Sequence, residues 1–145
     1  MSDAARRLCL HGAILFFLGL LNGALVPAFT NSRLGLSAHL AGVQNGLVLL
    51  IFGLLWRHLA LPPARLRLAE VSSILSMYAL WLALALGAIF GTSRATPIAG
   101  AGHTGAAWQE ALVTALLYAG SAGILLGAFL VVLGLRARGT GESTT

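Results

Sequence analysis

Residues 37–56 read SAHLAGVQNGLVLLIFGLLW, twenty residues without an acidic or basic side chain apart from one histidine. A hydrocarbon core of about 30 Å is crossed by about 20 apolar residues in an α-helix, so this stretch is long enough to span a membrane. After Ser37, a histidine and two amides, His39, Gln44 and Asn45, stand in its first half. A polar group at that depth is costly without a partner, so each is a candidate functional residue.

Three further apolar blocks flank it. The spans are expected at Leu8–Phe29, Ser37–Trp56, Leu68–Phe90 and Trp108–Leu135. Breakers separate them: Asn31, Ser32 and Gly35, then Pro62 and Pro63, then Pro97, Gly100, Gly102 and Gly105. The first block follows Arg6 and Arg7 as a signal peptide would, but it is long enough to span and is expected to be retained. The fold class is therefore all-α: an integral membrane four-helix bundle of up-down topology. Residues 1–138 form one domain, and GTGESTT at 139–145 is expected to be a disordered polar tail.

Composition agrees. Of the 145 residues 58% are hydrophobic and 9% charged, against about 25% charged in a soluble domain. The net charge is +5, and all nine basic residues are arginines scattered between apolar blocks. No basic stripe interleaved with aromatics occurs, so nucleic acid is not an expected partner. The arginines read instead as topology signals. Arg6, Arg7, Arg57, Arg65, Arg67, Arg136 and Arg138 fall on the side of both termini, and Arg33 and Arg94 on the other, which predicts cytoplasmic termini. The single cysteine, Cys9, excludes an internal disulfide and a cysteine-based zinc site. No GxSxG, phosphate loop or HExxH is present, so nothing points to hydrolysis or phosphoryl transfer.

Lipid tails give helices no hydrophobic reason to associate, so close packing of small residues has to hold them together. Four pairs spaced by four supply candidate seams: Gly19 and Gly23, Gly42 and Gly46, Gly87 and Gly91, Gly123 and Gly127. Four spans make a thin bundle, which suggests a homo-oligomer.

On a helix His39, Gly42, Val43 and Gly46 share one face. The glycines let that face press against something flat, either another helix or a porphyrin. Histidine is the usual proximal ligand of haem iron, and the alternative is an interfacial histidine bonded to a carbonyl or water. Asn45 lies six residues further, about 9 Å along the axis and off the His39 stripe. It either orients a substrate oxygen or makes an interhelical hydrogen bond, and Gln44 points away from His39. His11 is expected in the headgroup zone, His58 at a helix end and His103 in a glycine-rich loop. Glu70 and Glu110 are expected to open the third and fourth spans, where a carboxylate suits a helix N-terminus. Asn22 faces a helix partner, and Trp56 and Trp108 are candidate interface anchors.

The stretch NSRLGLSAHLAGVQNG, with LHG at 10–12 and AIFGTS at 88–93, resembles the bacterial hydroxylaminobenzene mutases along nearly the whole chain. It is similar, more distantly, to styrene oxide isomerase, a four-helix membrane protein that assembles as a trimer with haem b between subunits. The resemblance implies haem b ligated through its iron by His39, and substrate contact by Asn45. It further implies a homotrimer in the bacterial inner membrane and a small apolar aromatic substrate. The reaction would turn an arylhydroxylamine into an aminophenol, or an epoxide into a carbonyl, with ferric haem as Lewis acid. Departures fall in the third span. Leu84 or Gly87 stands where the isomerase has a tyrosine, with Tyr78 nearly two turns or more away. The mutases tend to carry YANW where this chain has YALW, with Leu80 replacing the amide. Haem-based electron transfer is disfavoured, because His39 has no second intramembrane histidine on its side to complete a six-coordinate iron. The other classes are a small multidrug or solute transporter, which usually carries a mid-membrane carboxylate, and a structural membrane protein without ligand.

Overall fold

The structure, a computed structural model, describes residues 1–139. Four long helices carry the fold: α1 (Asp3–Ala24), α2 (Ser32–Leu55), α3 (Pro63–Phe90) and, after a short α4 (Pro97–Gly100), α5 (Ala107–Gly139). Single 3₁₀ turns follow α1 at Val26–Ala28 and α2 at Trp56–His58. All four long helices are long and apolar enough to cross a membrane. No strand occurs among the described residues. Of the expected polar tail, Gly139 ends α5 and residues 140–145 lie outside the described residues.

The helices start earlier than hydropathy alone suggests, because caps and not apolar residues set their ends. The Ser2 side chain accepts from the Ala5 N–H at 3.3 Å and starts α1 before Leu8. Asn31 Oδ1 accepts from the N–H groups of Arg33 and Leu34 at 3.0 and 3.1 Å, so α2 begins one turn before Ser37. Pro63 begins α3 five residues before Leu68. Its missing N–H costs nothing in the first turn, where no intrahelical acceptor exists. At the other end of α1, Pro27 lies in the 3₁₀ turn, and the helix stops at Ala24 rather than at Phe29.

The long helices run up and down. Asn31 N–H donates to Ala88 O at 2.9 Å, which joins the first loop to the end of α3. Ala60 N–H donates to Gly134 O at 3.0 Å, which joins the second loop to the end of α5. α1 packs on α2, α2 on α3 and α3 on α5, whereas α1 and α5 share no extensive contact among the described residues. The buried core comprises Leu8, Leu15, Leu49, Trp56, Met77 and Leu130 with small residues between them. Outward faces stay apolar, as at Phe17, Leu54, Leu75 and Phe129.

The glycine seams are partly as expected. Gly42 meets Gly19, and Gly46 meets Gly12 and Phe16, so α1 and α2 cross backbone to backbone. A Cβ on Gly46 would fall 2.5 Å from the Phe16 nitrogen. Gly123 meets Ser76, and Gly127 meets Ser72 and Ser73, which closes α5 on α3. Gly87 and Gly91 form no helix seam. Gly91 is the left-handed C-cap of α3 at φ +66°, a conformation open to glycine without a Cβ penalty, and Gly87 meets Thr92, Leu34 and Val113. Trp56 is a correction of another kind. It is 6% exposed and part of the core, at the start of the 3₁₀ turn that follows α2, while Trp108 is 61% exposed and packs edge-on against Phe90.

Candidate functional site

His39 lies two turns inside α2, about 10 Å from its first residue. The ring is half-buried and rests against α1. Its Nδ1 is 2.8 Å from the carbonyl oxygen of Gly19. One turn along α1, Gly23 leaves room for the imidazole: a Cβ there would stand 2.5 Å from His39 Nδ1 and 2.9 Å from Cε1. A carbonyl can only accept, so Nδ1 carries the proton and donates. The neutral imidazole then keeps its lone pair on Nε2, the atom a metal would take. Nε2 has no hydrogen-bond partner among the described residues.

The rest of the expected cofactor face is arranged differently. Gly42 and Gly46 are buried under α1, and the Gly42 surface also meets the indole of Trp81. Of the two flat partners possible for this face, the structure has the helix. Within this chain α1 lies over Gly42 and Gly46, where an added Cβ would meet the backbone of Gly19 or Phe16. Val43 is half-buried, with its backbone nitrogen against Gly19.

Asn45 points to α3, where its Nδ2 donates to the Met77 carbonyl at 3.2 Å. The amide keeps a second N–H and its Oδ1. His39 thus leans on α1 and Asn45 on α3, as their angular separation on one helix requires. Beside Met77, the Tyr78 hydroxyl donates to His11 O at 3.2 Å, and the two rings meet edge to face at 5.8 Å. His11 therefore lies two turns inside α1 and packs against α3. Leu80, at the departure from YANW, packs against Gly120 of α5. Trp81 Nε1 is buried without a hydrogen-bond partner among the described residues, a feature that no spacing in the sequence marks.

Other polar residues have structural partners. Asn22 Nδ2 donates to Gly35 O at 3.0 Å, as expected of a residue facing a helix. His58 Nε2 accepts from Arg57 Nε at 3.0 Å, and His103 Nδ1 lies 3.1 Å from Gly100 O within its own loop. Glu70 does not open α3. It lies two turns inside, with its carboxylate gripped by Arg7 at 2.6 and 3.1 Å. Glu110 does sit in the first turn of α5, and it accepts from the N–H groups of Ser93, Arg94 and Gly105 at 2.9–3.2 Å. Both carboxylates are committed to structure, which argues against proton-coupled transport. Asn31, read from the sequence only as a breaker, is 1% exposed, and its Nδ2 donates to Ala99 O and Gly100 O at 3.0 Å each. It ties the α1–α2 loop to the α3–α5 loop.

The chain matches the styrene oxide isomerase family over residues 4–136. It is 44% identical over 133 residues to hydroxylaminobenzene mutase HabB of Ectopseudomonas oleovorans, covering 91% of this chain and 81% of that one. It is 42% identical over 108 residues to hydroxylaminobenzene mutase HabA of the same organism, covering 74% and 80%. No solved structure matches. With matches spanning all four helices, this chain belongs to the styrene oxide isomerase family and is an isomerase of the mutase kind.

Proposed function

We propose that this protein is a haem-dependent membrane isomerase acting on a small apolar aromatic substrate. An arylhydroxylamine rearranged to an aminophenol is the preferred reaction, and both curated relatives, named for hydroxylaminobenzene, support it. The observation that carries the reading is the His39 Nδ1 contact with Gly19 O at 2.8 Å, which leaves Nε2 as a metal donor.

The residues present fit a haem and not a bare ion. No group of three or more His, Cys, Asp or Glu able to hold a metal occurs among the described residues. A porphyrin brings its own nitrogens, so one histidine suffices as the protein ligand. His39 would hold the iron, with the Gly19 carbonyl setting its tautomer and raising its basicity. Bound ferric haem supplies Lewis acidity toward the substrate oxygen. The free N–H and Oδ1 of Asn45 orient that oxygen. The apolar helix faces keep water from the rearranging centre. Apolar substrates partition into the bilayer, so a site within the spans meets them there. Arginine distribution supports cytoplasmic termini in a bacterial inner membrane, and the unpaired flanks of α1 and α5 support a homo-oligomer, a trimer by resemblance.

The test is the visible spectrum of detergent-purified protein before and after dithionite. A Soret band in haem stoichiometry that shifts on reduction is expected, and His39→Ala is expected to lose it. A wild-type protein that stays colourless with added hemin, or a His39→Ala variant with an unchanged spectrum, overturns the proposal. Conversion of hydroxylaminobenzene to an aminophenol by the haem-loaded protein then tests the substrate.

A further inference from the structure

Three helices converge on one side chain beside the candidate site, the indole of Trp81 in α3. A Cβ on Gly42 would stand 2.9 Å from Trp81 Cδ1 and 2.6 Å from Gly19 Cα. The indole of α3 and the backbone of α1 therefore meet α2 at a single residue. Gly42 lies three residues after His39 and three before Asn45, so the junction is within one turn of each. The anchors of those two side chains lie on different helices. His39 Nδ1 donates to Gly19 O on α1, and Asn45 Nδ2 donates to Met77 O on α3, four residues before Trp81. The backbone of α2 fixes the spacing of His39 and Asn45 along the helix. The direction each side chain takes depends on where α1 and α3 stand.

Trp81 is half-buried and packs on the core, and Gly42 has no side chain to keep the ring off the α2 backbone. Its Nε1 has no acceptor among the described residues. With no hydrogen bond to hold it, the ring keeps its place by packing. We propose that Trp81 is a positioning residue: its ring, wedged against Gly42, sets the separations at which Met77 O takes Asn45 and Gly19 O takes His39. The consequence for catalysis rests on the haem-isomerase reading above, and the geometric effect does not. In that reading the iron held by His39 and the amide of Asn45 act on one substrate oxygen. A misplacement of about 1 Å between such groups costs about a hundredfold in rate.

NMR of the full chain in detergent tests the wedge, with the protein as purified and reduced under carbon monoxide so that any bound iron is diamagnetic. The Nδ1–H of His39 and the Nδ2 amide of Asn45 would be assigned from His39→Ala and Asn45→Ala, and their exchange with water followed. Slow exchange is expected at both in the wild type. Trp81→Leu removes the flat ring and should speed exchange at both by about tenfold, the protection of about one hydrogen bond. Trp81→Phe keeps a ring without the N–H and should restore slow exchange. Leu130→Ala is the control. It opens the core at the other end of the α3–α5 contact, beyond Gly127 and Ser73, and should lower the melting temperature with both exchange rates unchanged. Slow exchange persisting in Trp81→Leu overturns the proposal. So does equal acceleration in Leu130→Ala, since any core cavity would then act alike, and so does a Trp81→Phe variant that stays fast. If Trp81→Leu does not fold, the wild type decides: the Trp81 indole N–H should exchange far more slowly than that of the exposed Trp108, and equal rates overturn the wedge. Where haem loads, kcat for hydroxylaminobenzene should fall in Trp81→Leu and recover in Trp81→Phe. A colourless, inactive wild type with this exchange pattern intact would overturn the haem reading and leave the wedge standing.

Discussion

The imidazole of His39 is held by the backbone of Gly19, Nδ1 to carbonyl oxygen at 2.8 Å, in a notch that exists because residue 23 is glycine. The relationship joins two helices and fixes one tautomer, so it can be tested from the α1 side without touching the histidine.

Gly23→Ala should push the imidazole out of its notch, since the new Cβ would stand 2.5 Å from Nδ1. On the proposed haem ligation, a protein that folds but loses or shifts the Soret band is expected. Adding His39→Ala should restore the melting temperature lost in Gly23→Ala, because the clash disappears with the ring. Additive destabilisation in the double variant would show that the two residues do not press on one another.

Gly46→Ala probes the α1–α2 crossing directly. The atoms in its way are the backbone of Phe16 and the Gly12 carbonyl, which cannot rotate aside as a side chain would. A loss of about 2 kcal/mol is expected, measured by unfolding in mixed detergent. A change within experimental error would mean that the helices slide apart cheaply.

Arg7→Gln leaves the Glu70 carboxylate, 8% exposed, without its cation. Adding Glu70→Gln removes the stranded charge. The double variant should therefore melt higher than Arg7→Gln alone, the sign expected when a buried charge loses its partner. If the double variant melts lower, the carboxylate has another source of solvation.

Glu110→Ala should loosen the α3–α5 loop. Its carboxylate is the common acceptor for Ser93, Arg94 and Gly105, and hydrogen bonds to a charged acceptor contribute about 2 kcal/mol each. Faster tryptic cleavage after the exposed Arg94 is the readout. Unchanged cleavage would mean that Asn31, through Ala99 and Gly100, holds the loop by itself.

Four spans, their alternation and the Gly42–Gly46 face were legible in the amino-acid order, because each depends on a local quantity. Run length against bilayer thickness sets a span, and residue spacing on one helix sets a face. His39 and Asn45 could likewise be singled out, as polar groups where polarity is costly. The partners of those groups were not legible. The Gly19 carbonyl that orients His39 is a backbone atom of the kind every residue has, and Met77 meets Asn45 through another. Glu70 finds Arg7 across 63 positions, and Trp56 enters the core instead of the interface, because helix crossing brings distant turns together. The sequence determined which segments enter the membrane and which groups need satisfying there; only the packing of one helix on another decided what satisfies them.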